Sequence, residues 1–413
     1  MNHDPLAALR QPNFAAYAAA RLAAAVAMTM LNAAILYHIY QLTGSAYQLA
    51  FIGLARFLPS LGLTLLGGAI ADAFDRKAIV IAALTVPAAA SGALFLATTS
   101  DAIGPLLIYT LVLAVAVAAA FENPARQALL PQLVTPETFP NAIVVSSTIQ
   151  SLGFVTGPAL TGLCIALSGI ASAYAVHAAL VVVAILLTLL LRPRPFRGPA
   201  RALSLAAIRE GLEFVVRRQP IIGAMTLDMF AVIFGGAQAL LPIYATDILH
   251  VGGLGYGILA ASLEAGALVM SILLVFLPPI RPAGRVLLLT VALFGLGTIA
   301  FGLSRNFYLS VATYAAIGMA DQVSVVLRQT IVQLTTPDEL RGRVSSINML
   351  FIGASNQLGA VESGLVAGLT NATFAVVSGG IGTLAVVGLV AARLPGLRTY
   401  RIEPIVRART GPT

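Results

Sequence analysis

Charge is what this sequence lacks most: only 10% of its 413 residues are Asp, Glu, Lys or Arg, against about 25% in soluble globular chains. Tryptophan is absent, so any aromatic belt at a membrane interface falls to the 11 tyrosines. The single cysteine, Cys164, lies inside an apolar run and excludes an intrachain disulfide. No GxxxxGKS or GxxxxGKT phosphate cradle is present, which excludes direct drive by ATP. No Cys/His grouping has metal-ligand spacing, and no soluble segment is large enough for catalysis. Catalytic residues, metals and cofactors are therefore not expected. Gly252-Gly253-Leu254-Gly255 follows no strand and is no dinucleotide fingerprint.

What the chain has is apolar length. Hydrophobic residues make up 59%, and the mean hydropathy is +0.93. A helix crossing a bilayer needs roughly 20 mostly apolar residues. Twelve such spans can be placed, near 14–42, 46–71, 78–99, 103–123, 141–167, 170–191, 221–246, 254–278, 286–303, 307–327, 344–369 and 371–392. Pro59, Pro87, Pro158 and Pro242 interrupt several, as membrane helices tolerate. The first span is far longer than the 7–15 residues of a signal-peptide core, so no cleavable signal is expected. The fold class is an all-α membrane protein. Residues 1–191 form a first six-helix half, 221–393 a second, and 394–413 a tail. Between the halves, 192–220 is an arginine-rich linker, with Leu203 to Arg218 forming an amphipathic surface helix.

Basic residues orient the spans. With the N-terminus inside, all but three of the 24 Lys and Arg fall in cytoplasmic connections or tails. Arg21 and Arg56 lie within spans, and Arg305 alone is external. This is a positive-inside pattern, with both termini cytoplasmic in the plasma membrane. It also accounts for the net charge of +8 through anionic lipid, so nucleic acid is not an expected partner.

An internal repeat relates the halves. Arg126-Gln127 through Pro136-Glu137 follows the fourth span, and Arg328-Gln329 through Pro337-Asp338-Glu339 follows the tenth, at an offset of about 202 with one residue deleted. Each leads into a Gly- and Ser-rich helix. Two related six-helix units place a central site between them near the midplane.

Three motifs carry a resemblance. Gly68-Ala-Ile-Ala-Asp72-Ala73-Phe-Asp75-Arg76-Lys77 resembles the signature between helices two and three of the major facilitator superfamily, departing from it at Ala73 and Asp75. Gly153-Phe-Val-Thr-Gly157-Pro158-Ala-Leu-Thr161-Gly162 is similar to the motif of its exporting members. Asn123-Pro124-Ala125-Arg126-Gln127-Ala-Leu-Leu-Pro131 resembles a bacterial exporter subgroup that includes the enterobactin exporter and macrolide-efflux proteins. The resemblance implies a secondary transporter working by alternating access, with a small-molecule substrate and protons as partners, acting as a monomer. It also implies that Arg76 pairs with Glu122 at the cytoplasmic gate.

Charges inside spans are few and costly. Asp72 sits where helix two ends, able to meet the positive N-terminus of helix eleven; the alternative is that Asp75, Arg76 and Lys77 merely set topology. Arg21 and Asp228 each lie about seven residues into repeat-mate spans, so either they pair across the halves or Arg21 snorkels to the headgroups. Arg56 and Glu362 are expected to close the outer side. Glu264, near the middle of span eight, has no charged neighbour at helical spacing. It is the first candidate for proton coupling and Asp228 the second; the alternative for Glu264 is a structural hydrogen bond to helix five. Asp321 with Arg328, like Glu122 with Arg126, fits a gate. His38 and His177 are read as structural. Gly153, Gly157 and Gly162 present a smooth face for packing between the halves, with Pro158 bending the helix; the alternative is a merely well-packed helix pair. Export of an amphipathic drug, siderophore or metabolite is the leading reading. An importer or flippase of a nutrient or lipid-like substrate remains open, and a membrane enzyme or channel is disfavoured.

Overall fold

The computed structural model describes residues 7–194, 205–278, 280–337 and 339–402, and within α2, α7 and α13 some side chains, Asp72 among them, lie outside that description. The elements are α1 (Pro12–Thr43), α2 (Ala46–Ala73), α3 (Arg76–Thr99), α4 (Pro105–Leu129), α5 (Phe139–Ser168), α6 (Ile170–Leu189), α7 (Leu205–Arg217), α8 (Gln219–Phe234), α9 (Ala237–Ile243), α10 (Gly252–Phe276), α11 (Ala283–Leu303), α12 (Phe307–Thr335), α13 (Arg341–Leu369), α14 (Ala372–Arg393) and α15 (Pro395–Arg398). Ten stretches are long and apolar enough to cross a membrane. The 28-residue α2 and 29-residue α13 pack among them and complete twelve crossings. α8 and α9 together make the seventh crossing, so α10 to α14 are the eighth to twelfth.

Local chemistry sets the boundaries. Asp75, which departs from the family signature, caps α3 by accepting from the Lys77 backbone N–H. Asn306 and Asn371 cap α12 and α14 in the same way. Gly44 ends α1 at φ +61°, a left-handed conformation that glycine adopts without strain. The seventh crossing breaks at Gly235-Gly236, and a Cβ on Gly236 would lie 2.6 Å from the Gly359 carbonyl oxygen of α13. It resumes as α9 and ends in a π-helical turn, Tyr244–Ile248.

Two crossings run further than the apolar runs alone indicate. α4 continues through Pro124 to Leu129, and α12 continues to Thr335. Arg126 and Arg328, expected in cytoplasmic loops, are therefore buried helix residues. Within the described residues the linker forms the helix α7, Leu205–Arg217. It buries Val215 against Ile221 and Val344, and its Glu210 pairs with Arg343 of α13.

The first six helices pack on one another, as do α8 to α14, and the two sets meet mainly through α2 on α13 and α5 on α10. The described ends and the linker share one side, here the terminal face: Ala8 N–H donates to Asn141 Oδ1 at 2.9 Å, and Gly396 N–H to Gln219 Oε1 at 2.9 Å. On the opposite face one apolar cluster spans both halves, joining Ile39, Leu49 and Ile52 to Leu240, Tyr244 and Tyr256. Toward the terminal face the clusters stay within one half, as with Phe14, Leu129 and Leu133, or Leu287, Leu327 and Val390. Among the described residues, the apolar contact between the halves therefore gathers at the face opposite the termini.

Candidate functional site

The first half surrounds a cavity of about 310 Å³ lined by all six of its helices, with Gln357 of α13 the one lining residue from the second half. Its walls are apolar at Met28, Leu31, Ile35 and Phe154 and charged at Arg21, Arg56, Glu122 and Arg126. Sequence reasoning named these charged residues, but most of their partners differ from expectation.

Arg21 and Asp228 do not pair. The Arg21 guanidinium donates to Gln150 Oε1 and, weakly, to the Ser146 carbonyl oxygen at 3.5 Å, both on α5. Asp228 forms an ion pair with Arg328 of α12 instead. Their side chains are only 10% and 3% exposed, so this pair sits inside the second half. The reason lies in the repeat. Arg126 pairs with Glu122 one turn earlier on its own helix, but the offset of 202 puts Ser324 where Glu122 stands. Lacking an acid at i−4, Arg328 reaches to α8. That substitution was visible in the sequence and is the signal that could have found the pair.

The expected Arg76–Glu122 pair is also replaced. Glu122 is taken by Arg126, while Arg76 donates to the Ala71 and Ala128 carbonyl oxygens at 3.1 and 3.0 Å. This ties the α2–α3 connection to the end of α4. Arg56 and Glu362 lie on helices that do pack across the halves, yet they are not joined: Arg56 faces the cavity within electrostatic reach of Tyr256, and Ser363 Oγ donates to Glu362 at 3.2 Å. Asp72, the expected gate acid, has its side chain outside the described residues.

Glu264 is half-buried on α10, and its neighbours come from α12, not from helix five, the alternative weighed for it. Asp321 and Tyr314 lie within electrostatic reach. The helices approach closely because Gly318 and Gly266 leave room for the Leu263 and Ala315 backbones. Two acids and a phenol thus gather in the second half, away from the cavity lining. His38 and His177 bond to Tyr174 Oη (2.8 Å) and Ser91 Oγ (2.6 Å).

The glycine motif divides between two jobs. A Cβ on Gly153 would lie 2.6 Å from Ala25 Cβ, and one on Gly157 would lie 2.6 Å from the Val26 carbonyl oxygen, both on α1 of the same half. Only Gly162 meets the other half, its missing Cβ 2.6 Å from Gly257 Cα. Two further ties cross there: Tyr256 Oη donates to the Ala33 carbonyl oxygen at 2.9 Å, and Tyr40 donates to Asp247 in the π-helical turn. Sequence reasoning missed Tyr40 and Asp247, since neither lies in a recognisable motif.

Comparison with known proteins agrees with this geometry. A family described as transmembrane secretion effector matches residues 3–407. The chain is 30% identical over 411 residues to the enterobactin exporter EntS of Citrobacter koseri, covering 96% of this chain and 95% of that one. It is 27% identical over 402 residues to the enterobactin exporter EntS of Escherichia coli O1:K1, covering 95% and 94%. Among solved structures, a bacterial homologue of the human lysosomal transporter Spinster, inward-facing and unoccupied, superposes with a TM-score of 0.70 at 16% identity over 95% of this chain and 99% of that one. The nucleoside transporter NupG gives 0.69 at 14% identity over 91% and 98%. These two likenesses show the fold alone.

Proposed function

Because the chain belongs to the transmembrane secretion effector family of major facilitator transporters, we propose that it exports an amphipathic small organic molecule, driven by protons moving the opposite way. The observation that carries this reading is the cavity, together with the closure of the face opposite the termini by Tyr40–Asp247, Tyr256 and the Gly162–Gly257 contact. Arginines crowd the terminal face, which supports placing it in the cytoplasm of a bacterial inner membrane. In that orientation the described conformation is the one that loads cargo from inside. The named cargo of the relatives makes a siderophore-like compound the first candidate.

Glu264 is the proposed coupling acid. It has an acid, Asp321, and no basic group within its described surroundings, so ionising it in the membrane interior is costly and a proton is its natural companion. Asp228 is the second candidate; protonating it would release Arg328. Asp72, Arg76 and the start of α13 are proposed to meet when the cytoplasmic side closes, with Glu122, Arg126, Asp321 and Arg328 behind them and Arg56 and Glu362 toward the other side. Cells carrying extra copies of the protein should release a preloaded fluorescent amphipath faster than control cells, and an uncoupler should abolish the difference. Release at the control rate across a broad set of compounds would contradict export.

A further inference from the structure

The charges of this protein are sorted by half. Among the described membrane-depth side chains, the first half sets Arg21, Arg56 and Arg126 against one acid, Glu122, which Arg126 already engages. The second half holds Asp228, Glu264, Asp321 and Glu362 against one base, Arg328. These three arginines line the cavity, and among the described residues Glu122 is the only carboxylate that does. Arginine stays charged in any protein environment, so the described lining carries a surplus of two positive charges in the membrane interior.

Those charges are poorly satisfied. A guanidinium has five N–H donors. Arg21 spends two of them on neutral oxygens, one of them at 3.5 Å. Arg56 has no hydrogen bond or ion pair among the described residues and meets only the field of Tyr256. An intramembrane arginine without a counter-charge is expensive and marks a substrate path. Around the two arginines the walls are apolar.

We propose that the substrate is an amphipathic organic anion, whose acidic group meets the guanidiniums of Arg21 and Arg56 along the cavity and whose apolar body lies against Met28, Leu31, Ile35 and Phe154. This rests on the transport reading above and narrows its substrate class. It also separates the two cargoes: the anion binds the basic first half, and the proton binds the acidic second half, so neither competes for the other's group.

The test uses full-length protein in nanodiscs, equilibrium dialysis, and three matched probes: 2-naphthoate, 2-naphthylmethanol and 2-naphthylmethylammonium, with empty nanodiscs subtracted. Naphthoate should bind about tenfold more tightly than the alcohol, the worth of one charge-assisted hydrogen bond, and the ammonium ion should bind weakest. Arg21→Gln and Arg56→Gln should each weaken naphthoate binding more than alcohol binding and so remove most of the preference for the anion; Arg56→Lys should keep it. Equal binding of naphthoate and the alcohol by the unaltered protein would overturn the assignment even if no variant folds, as would a preference that survives both Gln changes. Binding is read without transport, so the two readings fail separately. An anion-selective protein that moves nothing leaves this assignment standing and overturns export. A protein that exports a compound without showing anion preference does the reverse.

Discussion

The Arg328 guanidinium of α12 pairs with the Asp228 carboxylate of α8, and both side chains are almost wholly buried. Such a pair is costly to break from one side, because the remaining charge stays buried without compensation. Asp228→Asn should destabilise the detergent-solubilised protein by about 3–5 kcal/mol. Adding Arg328→Gln to Asp228→Asn should restore part of that, giving a coupling term in a double-mutant cycle of thermal unfolding. Glu122→Gln should cost less, since Glu122 and Arg126 face the cavity, where water can solvate the freed arginine. Equal losses for the two changes would show that the Asp228 site is no more secluded than the Glu122 site.

The twelve crossings were legible because lipid leaves little choice. A spanning segment must be apolar and must satisfy its own backbone, so the run near 78–99 becomes Arg76–Thr99 and the run near 371–392 becomes Ala372–Arg393. Ion pairing was much less legible. Whether Arg21 meets Asp228 or Gln150 depends on helix rotation and crossing, which composition does not encode. Arg126 and Arg328 were assigned to loops because arginine ends an apolar run, although a buried acid can carry it into a helix. The glycine motif was visible, but not that Gly153 and Gly157 serve α1 while Gly162 serves α10.

That division predicts two phenotypes from one substitution type. Gly162→Ala pushes a methyl group toward Gly257 across the halves and should favour opening of the face sealed here. With Cys164 replaced by serine, cysteines introduced at Leu36 and Leu249 should react faster with a membrane-impermeant maleimide in the Gly162→Ala background. Gly157→Ala presses on α1 instead. It should lower thermal stability by about 1–3 kcal/mol, the usual cost of overpacking, without raising that reactivity.

Tyr40→Phe removes the donor that ties α1 to Asp247 across the sealed face. Losing one hydrogen bond to a charged group should weaken the seal by about 1.5–3 kcal/mol, again read as faster maleimide labelling at Leu36. Phe307→Leu, at the start of α12 where the ring meets Tyr308 of the same helix, should label at the rate of the unaltered protein. Unchanged labelling in Tyr40→Phe would mean that the apolar cluster alone closes this face.

Proton-driven export is tested most directly in inverted membrane vesicles whose lumen, equivalent to the cell exterior, is made acidic. Protein with Glu264 intact should accumulate an amphipathic substrate inside these vesicles and lose it when the gradient is collapsed. Glu264→Gln keeps the shape and hydrogen bonding of the protonated acid, so it should still exchange substrate across the membrane but should not accumulate it. Accumulation only in right-side-out vesicles would contradict export, and accumulation by Glu264→Gln equal to that of the unaltered protein would remove Glu264 as the coupling acid.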